Sequence, residues 1–596
     1  MSTEPDDDLG KPIGLGFLPQ LWPYVRPYRR AFAGCLLLLL VSFVLELIGP
    51  WLMKLAIDGP MVNLTLDSVE RSHQLWIYSG GFLLVTALGA LIGYLYGQVT
   101  AWNGQRVIRD VRRSLFAHLL QVSSEFHERN PAGKLTTRVT SDVEKLNELI
   151  STGVLQSFFD LLKIGGVMVA LFVLDLRLAL FTIATTPLVI LLSILFRRNA
   201  QRAYRAVRGK VALQNAYTAE AIGGVRATRA FAREAQVQSR YQQLNADTAD
   251  SWRDTVFHFS VFFSLVDFTL RATTIGLLWF GGSAVLRGEA LPGQFIQFWL
   301  YFNLLAGPIR ELGEKYNVLQ EAFASSERIF KILAEPVFPP PGGKNLAAER
   351  TGSCEIEFRA VDFAYRNDLP ILQTVSFRAG PGQTIAIIGP TGSGKSTLLS
   401  LVSRLRDVTG GAVLVDGIDV RDWDVRALRN RVAVVAQDLF LFSGTIGDNV
   451  RLFDRTISDE RVWHALELAC AADFVRALPG ALDAQVQERG GTFSQGQRQL
   501  LAFARALVTN PCVLVLDEAT ASIDSATEAR LQQALAAALQ SRTALIVAHR
   551  LSTVRAADCI LVLERGNVVE AGRHEALIQQ DGHYARMLQS LACPAP

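Results

Sequence analysis

The sequence predicts a two-part protein: a membrane domain of six transmembrane helices with long cytoplasmic extensions, followed by an α/β domain with a phosphate-binding loop. Three observations support this fold class. Long apolar runs are confined to the N-terminal half of a 596-residue chain whose mean hydropathy is +0.23. The remainder has the composition of a soluble α/β domain and contains a complete GxxxxGK[ST] motif. A chain of this length also exceeds one compact core, since a domain usually has roughly 100–200 residues.

Six apolar runs are each long enough to cross a bilayer, which takes about 20 residues. They are Ala31–Ile57, Leu75–Asn103, Val154–Leu174, Leu178–Phe196, Phe257–Leu286 and Pro292–Ile309. The second run carries no charged residue. Only a short charged stretch, Arg287 to Glu289, separates the last two runs, so a buried soluble hairpin is an alternative for that pair alone.

Basic residues fix the orientation of these runs in the membrane. They precede the first run, fill the segment between the second and third, and fill the segment between the fourth and fifth, for example at Arg109, Arg112, Arg202 and Arg205. Because loops rich in Lys and Arg stay in the cytoplasm, both termini and the C-terminal domain are expected there.

The two long basic segments are predicted to be helical extensions of the transmembrane helices. Structureless loops of such length are uncommon, and these contain little Pro or Gly. Short turns are expected near Asn130–Gly133 and Ile222–Gly224. A Pro-rich linker at Glu335–Gly343 then separates the two halves. The predicted domains are a cytoplasmic N-terminal segment (1–30), a six-helix domain (31–320), a linker (335–345) and the C-terminal domain (346–596).

Composition excludes several classes of function. The net charge of +3 gives no basis for a nucleic-acid partner. The six cysteines are scattered without a CxxC pair, which predicts reduced thiols and argues against a disulfide framework or a zinc site. The acidic N-terminus lacks the basic region of a signal peptide and the arginines of a transit peptide.

A phosphate-binding loop follows the strand predicted at Thr384–Ile388. The loop matches the motif at every position, and the predicted nucleotide site comprises Gly389, Pro390, Thr391, Gly392, Ser393, Gly394, Lys395, Ser396 and Thr397. Its glycines let backbone N–H groups wrap phosphate oxygens, and the following helix points its positive end at them. Lys395 is expected to reach the β- and γ-phosphates of ATP, and the Ser396 hydroxyl to bind Mg²⁺.

An acidic pair ends a second apolar strand further along the chain. The strand is predicted at Cys512–Leu516, and Asp517 and Glu518 follow it. Asp517 is placed to hold Mg²⁺, and Glu518 to polarise the attacking water. Such a pair is common at strand ends, but neighbouring motifs support the assignment: Phe493-Ser-Gln-Gly-Gln497 before a helix, Ser522-Ile-Asp524, and His549 after a third strand.

In this order the motifs resemble the ATP-binding-cassette ATPase domain. They are the Walker A loop Gly389–Ser396, Gln437, Phe493–Gln497, Leu516–Asp524 and Ala548-His-Arg550. The N-terminal half resembles the exporter type of the same family, so the resemblance covers nearly the whole chain. It implies an α/β P-loop ATPase that powers export of a hydrophobic or amphipathic substrate, such as a drug or a lipid, across the inner (plasma) membrane.

The resemblance also implies roles for single residues. Tyr365 matches the aromatic residue that stacks on adenine, the alternative being a strand aromatic that faces the core. Gln437 matches the glutamine that senses Mg²⁺ and the γ-phosphate, and His549 the histidine that contacts the γ-phosphate. Asp524 matches an aspartate of the dimer interface. Gln487–Gly490 matches the stretch that contacts the coupling helix of the partner.

A second half-transporter is the partner that the resemblance implies. In this family the signature serine of one subunit caps the ATP held by the Walker A loop of the other, so Ser494, Gly496 and Gln497 belong to the predicted nucleotide site. The usual signature is Leu-Ser-Gly-Gly-Gln, but here Gln495 replaces a glycine. Together with an intact Glu518, this departure resembles one subunit of a heterodimeric exporter. A homodimer that tolerates the glutamine is the alternative.

Two stretches resemble cytoplasmic coupling elements of the exporters. Asn130–Gly133, with the nearby Arg138 and Asp142, resembles the turn and helix that precede the first of these elements, and the turn near Gly223 would serve as the second. A soluble cassette ATPase is excluded by the apolar runs, and an importer normally keeps its membrane part on a separate chain. A gated channel or a non-transporting sensor on the same fold stays open.

Ionisable residues inside the apolar runs mark functional sites by default, because burying charge in lipid is costly. They are Glu46, Asp160, Lys163, Asp267 and Arg271. The spacing allows Asp267 to neutralise Arg271, and Asp160 to neutralise Lys163, on one helix face. We nevertheless predict that Asp267 and Arg271 face the interior of the bundle. Aromatic residues of the last two runs could line a cavity or face lipid; examples are Phe262, Phe268, Trp279, Phe295, Phe298 and Trp299.

Overall fold

The computed structural model describes residues 18–62, 67–340, 353–366, 369–437, 439–487, 490–517, 525–540, 542–548 and 551–592. The chain divides into two compact units. The helical unit comprises residues up to 117 and 133–334, and the second unit comprises 118–132 and the residues from 335 onward. The segment 118–132 therefore packs with the C-terminal domain, although the sequence places it within the membrane domain.

The helical unit consists of long helices joined by short segments. The helices up to residue 333 are α1 Leu18–Val25, α2 Arg29–Ala56, α3 Ser68–Leu119, α4 Ser124–Arg129, α5 Ala132–Thr137, α6 Val143–Glu148, α7 Leu155–Leu174, α8 Leu176–Gly223, α9 Val225–Ala230, α10 Glu234–Leu286 and α11 Pro292–Leu333. The six predicted apolar runs fall on α2, α3, α7, α8, α10 and α11. Helices α3, α8 and α10 continue well past their apolar runs, as predicted for cytoplasmic extensions.

Four helices are long and apolar enough to cross a membrane, within the residues that the structure describes. They lie at Pro19–Met61, Ser68–Leu119, Leu155–Leu174 and Glu234–Leu286, with mean hydropathies from 1.5 to 2.6. Among the described residues of α8, the apolar stretch is Leu176–Thr185. A membrane domain followed by an α/β domain is thus confirmed, whereas the count of six crossings stays a prediction.

Charged residues of α7 pair with other helices. Lys163 forms an ion pair with Glu46 of α2, and Asp160 forms one with Lys315 of α11. The expectation that Asp160 and Lys163 neutralise each other is therefore wrong, because each finds a partner across the bundle. Asp160 and Lys315 expose only 6% and 13% of their side chains, so this pair is largely removed from solvent.

The pair on α10 behaves differently. Arg271 donates to Asp267 one turn away at 2.7 Å, and the two side chains are 76% and 58% exposed. The prediction that they face the interior of the bundle is wrong for the single chain. Local neutralisation between positions i and i+4 explains why an outward-facing charge pair is tolerated there.

A buried carboxylate joins two helical segments of the helical unit. Asp142 is 5% exposed and accepts hydrogen bonds from Arg138 at 2.7 Å, Arg328 at 2.8 Å and Ser325 at 3.1 Å. Burial by itself would raise the pKa of Asp142, but the hydrogen bonds from Arg328 and Arg138 outweigh it and lower that pKa. The helical segment that contains Asp142 is thereby tied to the end of α11.

The second unit is an α/β domain. Its strands are β1 Ile356–Arg366, β2 Leu369–Ala379, β3 Thr384–Ile388, β4 Gly410–Val415, β5 Ile418–Asp419, β6 Val432–Val435, β7 Gly444–Thr445, β8 Gln485–Val486, β9 Val513–Asp517, β10 Thr543–Val547, β11 Cys559–Glu564 and β12 Asn567–Gly572. Its further helices are α12 Lys395–Val402, α13 Val425–Arg431, α14 Ile446–Arg451, α15 Asp459–Leu468, α16 Ala472–Arg476, α17 Gln495–Leu507, α18 Ser525–Leu539, α19 Leu551–Ala556, α20 His574–Gln579 and α21 His583–Ala592.

A six-stranded sheet in the order β12-β11-β3-β10-β9-β6 forms the centre of this unit. All neighbours except β12 pair in parallel, and both faces are covered, so the strands are apolar throughout. Side chains alternate between the faces. Ile385 and Ile387 pack in one core with α12 and the four-stranded sheet β2-β1-β4-β5, whereas Ala386 and Ile388 pack in another core with α17.

A disulfide joins Cys354, just before β1, to Cys512, just before β9, with 5.5 Å between the Cα atoms. The prediction of uniformly reduced thiols is therefore wrong for this pair. The two residues are 158 positions apart, and only the packing of the two sheets brings them together. Cys35, Cys470 and Cys559 are free thiols, and Cys593 lies outside the described residues.

The ion pair between Lys315 and Asp160 leads to a prediction about the stability of the protein. Lys315→Met leaves the buried Asp160 carboxylate without its cation, and removing one partner of a buried pair typically costs about 3–5 kcal/mol. We expect a marked fall in the thermal unfolding midpoint of the protein in nanodiscs, partly restored by adding Asp160→Asn. Arg271→Met is the matched control, because an exposed pair contributes about 0–1 kcal/mol. Equal shifts for Lys315→Met and Arg271→Met would contradict the assignment.

Candidate functional site

The phosphate-binding loop, Asp517 and Gln437 lie at the carboxyl ends of the parallel strands. The loop Gly389–Ser396 follows β3, Asp517 ends β9, and Gln437 lies two residues after β6. The register aligns Val547 with both Ile387 and Asp517, and Val435 with Leu516. Ligands of open α/β sheets bind at this edge, so the topology collects these side chains where a nucleotide would lie.

The loop after β3 has the backbone that a phosphate cradle needs. Gly392 and Gly394 have φ angles of 82° and 102°, which disfavour any side chain. A Cβ on Gly389 would lie 2.2 Å from the carbonyl oxygen of Leu563, and one on Gly394 would lie 2.8 Å from Leu372. The glycines are therefore required for close packing, and the loop delivers the N-terminus of α12 to the site.

The ammonium group of Lys395 is hydrogen-bonded to the backbone of this loop. Its Nζ donates to the carbonyl oxygens of Gly389 and Pro390, both at 2.9 Å. Burial lowers the pKa of Lys395, and the carboxylate of Asp517 opposes that shift. Ser393 is 2% exposed, and its hydroxyl oxygen has no hydrogen-bond partner among the described residues. A cation beside exposed backbone donors fits a polyphosphate, which could also satisfy that hydroxyl.

Three oxygen donors suit a divalent cation. Gln437 and Asp517 line one cavity, and Ser396 is exposed at the start of α12. Amide, carboxylate and hydroxyl oxygens are hard ligands of the type that Mg²⁺ prefers. Within the described ranges no three His, Cys, Asp or Glu side chains cluster as a metal site. The donor set thus fits a cation that keeps water and substrate phosphates among its ligands.

Tyr365 lies near the end of β1 and is 40% exposed, so it is not a core residue. Its hydroxyl shares a hydrogen bond of 3.0 Å with the Thr397 hydroxyl on α12. The guanidinium carbon of Arg406 lies 4.4 Å from the centre of its ring. Sequence reasoning missed Arg406, and no local pattern in the chain marks it.

The segment Phe493–Gln497 forms the N-terminus of α17. Ser494 caps the helix: its hydroxyl oxygen accepts from the Gln497 N–H at 3.2 Å, and the Gln497 side chain accepts from the Ser494 N–H at 3.0 Å. The Ser494 hydroxyl proton stays available for an external acceptor. Gln495 is the first helical residue and its side chain is exposed.

The two halves of the predicted nucleotide site are separated within the chain. Helix α12 packs on one face of the six-stranded sheet and α17 on the other. None of the hydrogen bonds among the described residues joins 494–497 to 389–397. Glu518, Asp524 and His549, and with them Glu488 and Arg489, lie outside the described residues, so their assigned roles stay predictions.

Comparison with known protein families gives two matches. Residues 32–309 match the family described as "ABC transporter transmembrane region", and residues 372–521 match the family described as "ABC transporter". The two matches cover the apolar helices and the part of the second unit that carries the phosphate-binding loop, α17 and the acidic pair.

Full-length relatives have the same arrangement of both parts. A Bacillus subtilis protein named "Uncharacterized ABC transporter ATP-binding protein YknV" is 36% identical over 98% of this chain and 96% of its own length. Another from that organism, "Probable multidrug resistance ABC transporter ATP-binding/permease protein YheH", is 35% identical over 88% and 79%. A solved structure described as "Structure of a bacterial Atm1-family ABC exporter with ATP bound" superposes with a TM-score of 0.79 at 26% identity, covering 96% of this chain and 99% of that one.

The ammonium group of Lys395 makes a binding prediction. A hydrogen bond to a charged group contributes about 1.5–3 kcal/mol, so Lys395→Ala should raise the dissociation constant for ATP roughly 10- to 100-fold. Lys210→Ala is the control, since that exposed lysine of α8 pairs with Asp247 of α10. Titration with a fluorescent ATP analogue measures both variants. Unchanged affinity in Lys395→Ala would contradict the phosphate-cradle assignment.

Proposed function

This chain belongs to the ABC transporter family, and on that premise we propose that it is one half of a dimeric exporter for a hydrophobic or amphipathic substrate. It is a multi-pass membrane protein whose second unit is an ATP-binding, ATP-hydrolysing domain that drives transport. The observation that carries the proposal is the position of α12 and α17 on opposite faces of one sheet.

Such a chain needs a second subunit to complete an ATP site. Its own Ser494 caps a helix on the far face of the sheet from its own Lys395. A phosphate held at the N-terminus of α12 therefore cannot receive the Ser494 hydroxyl of the same chain unless the domain is rebuilt. Two copies of the domain facing each other head to tail supply both halves, and each ATP is then held by both subunits.

Different residues of this chain bind different parts of the ATP molecule that it holds. Tyr365 stacks on the base, the loop Gly389–Ser396 binds the phosphates through backbone N–H groups, and Lys395 exchanges its carbonyl acceptors for β- and γ-phosphate oxygens. Ser396, Gln437 and Asp517 would hold Mg²⁺. When bound, the cation neutralises charge on the phosphates. The partner's signature segment closes the site, with Asp524 at the dimer interface.

Hydrolysis is assigned to the residues that follow β9 and β10. Glu518, next to Asp517, orients the attacking water for in-line displacement at the γ-phosphate. His549, after β10, contacts the γ-phosphate and holds it in line. Val547 aligns with Asp517 in the sheet, so β9 and β10 end at the same edge. ADP and inorganic phosphate are the products.

Transport follows if ATP favours one arrangement of the membrane helices. A ligand shifts a conformational equilibrium only through its differential affinity for the two states. ATP gripped by two subunits binds the closed dimer better than the open one. Cutting the γ-phosphate removes the shared contact and releases the closure. We assign the transfer of this movement to the segment 118–132, which belongs to the second unit although helix α3 leads into it, and to the turn at Gly223–Gly224.

We assign the partner to a different chain, so that the transporter is a heterodimer. Gln495 stands where the usual signature has a glycine, and its side chain is exposed at the start of α17. In the proposed dimer this side chain faces the nucleotide held by the partner. This chain keeps Lys395, Asp517 and Glu518 for its own site. The site capped by Gln495 would then bind ATP and hydrolyse it poorly, whereas the site that contains Glu518 would hydrolyse ATP.

The substrate class follows from the relatives and from the surface of the membrane helices. The relative YheH is named as a multidrug resistance protein. Phe268, Trp279 and Phe280 of α10 are more than half exposed on the single chain, beside the Asp267–Arg271 pair. An apolar surface that also carries charge suits amphipathic molecules. By the distribution of basic residues, the ATPase domain and both termini are cytoplasmic in the inner (plasma) membrane.

The role assigned to Glu518 leads to a prediction about ATP turnover. Glu518→Gln keeps the size of the side chain and leaves Asp517 intact, so ATP binding should persist. Turnover should fall by two or more orders of magnitude, since a positioned general base contributes roughly 10²–10⁴-fold. Steady-state ATPase of the assembled transporter in nanodiscs, with Glu528→Gln as the control, measures the loss. Wild-type turnover in Glu518→Gln would reject the assignment.

The role assigned to Gln495 leads to a prediction about the ATPase activity of this chain on its own. If Gln495 obstructs the facing site, this chain expressed alone should form a poorly active ATPase, and Gln495→Gly should raise its rate at least about tenfold, the scale of a contact worth 1.4 kcal/mol. Adding Glu518→Gln must abolish the gain. A chain that is fully active alone, with little response to Gln495→Gly, would instead establish the homodimer.

A further inference from the structure

A cytoplasmic segment from between the membrane helices is held against the ATPase domain by specific contacts. In the segment 118–132, the Gln121 carbonyl oxygen accepts from the Phe338 N–H at 2.9 Å, and Val122 pairs with Val337. Glu128 of α4 accepts a hydrogen bond from Arg406 at 2.5 Å. The first two contacts attach the segment to the linker after α11. The third joins it to the loop after α12.

Arg406 is a buried cation whose contacts point in two directions. Its side chain is 9% exposed, whereas that of Glu128 is 61% exposed. Its guanidinium also lies 4.4 Å from the centre of the Tyr365 ring. A buried charge needs partners, and this one has a carboxylate on one side and an aromatic face on the other. Arg406 therefore joins α4 directly to the aromatic residue assigned to the base.

The Tyr365 ring contacts Arg406 and Phe363, and part of it stays exposed. Arg406 covers one face of the ring, and the Tyr365 hydroxyl is bonded to Thr397 at 3.0 Å. The ring of Phe363 also lies perpendicular to it, with 5.1 Å between the ring centres. These contacts together hold the plane of the Tyr365 ring, yet the side chain remains 40% exposed. A base can stack only on the face that Arg406 leaves open. The orientation of that face depends on where Arg406 is held.

We propose that Arg406 is a positioning residue for the nucleotide base, and that its ion pair with Glu128 makes base stacking sensitive to the position of the 118–132 segment. The inference rests on the proposed function, because it takes Tyr365 as the residue that stacks on adenine. Coupling between two sites is reciprocal. Whatever moves α4 changes the affinity for the base, and binding of the base resists that movement.

The test separates the base from the phosphates in the assembled transporter. ATPase kinetics give kcat and KM for ATP, and inorganic tripolyphosphate, which has no base, gives an inhibition constant. Arg406→Met keeps the aliphatic stem and removes the cation. We expect it to raise KM for ATP about fivefold or more, on the scale of one base–aromatic stack, with kcat within about twofold and tripolyphosphate inhibition unchanged. Arg406→Lys should recover part of the loss.

A double-mutant cycle establishes whether the residues act through one another. Arg406→Met should add nothing to Tyr365→Ala, since both remove the same stacking interaction. Glu128→Gln should raise KM for ATP in the wild-type background and have no effect in Arg406→Met. Glu125→Gln, on the same short helix, is the matched control because Glu125 pairs with Arg129 instead.

The possible failures are distinguishable. A wild-type transporter that tripolyphosphate does not inhibit would contradict the proposed phosphate site. Equal weakening of ATP and tripolyphosphate in Arg406→Met would overturn this inference alone, because it would show a general disruption of the site. Additive effects of Arg406→Met and Tyr365→Ala, or an effect of Glu128→Gln equal to that of Glu125→Gln, would also overturn it.

Discussion

The parallel pairing of β3, β10, β9 and β6 is the constraint on which the functional arrangement depends. Because side chains alternate along a strand, β3 sends Ile385 and Ile387 to one core and Ala386 and Ile388 to the other. That alternation requires helices on both faces, and it separates α12 from α17. The same register collects the phosphate-binding loop, Asp517 and Gln437 at one edge. The proposed ATP half-site, which needs a second subunit, rests on this separation of α12 from α17.

Buried charged side chains have different kinds of partner in the two units. In the helical unit, Asp160 and Lys163 reach to separate helices, so ion pairs connect α7 with α2 and with α11. In the second unit, the Arg406 cation is placed between Glu128 and Tyr365. A buried charge without a partner destabilises the folded state. Removing one member of a buried ion pair therefore destabilises the protein by more than the intact pair stabilises it. These pairs therefore constrain which elements can move independently.

The departures from sequence-based expectation have a common cause. Asp160 and Lys163 are three positions apart, which suggested mutual neutralisation, but partners on other helices are nearer in the folded chain. Cys354 and Cys512 lack any spacing signal, because the two sheets bring them together. The outward orientation of Asp267 and Arg271 likewise depends on how α10 packs, and spacing within one helix carries no information about that.

The sequence by itself determined the order of the two parts, the apolar helices, the phosphate-binding loop and the acidic pair at the end of β9. These features are local: they depend on hydrophobic period, on glycines that the backbone requires, and on motifs only a few residues long. Only the tertiary structure decided that α12 and α17 lie on opposite faces, that 118–132 packs in the second unit, and that Arg406 covers Tyr365. Those contacts join residues far apart in the chain, and their free energy exists only once the sheet and its layers have formed.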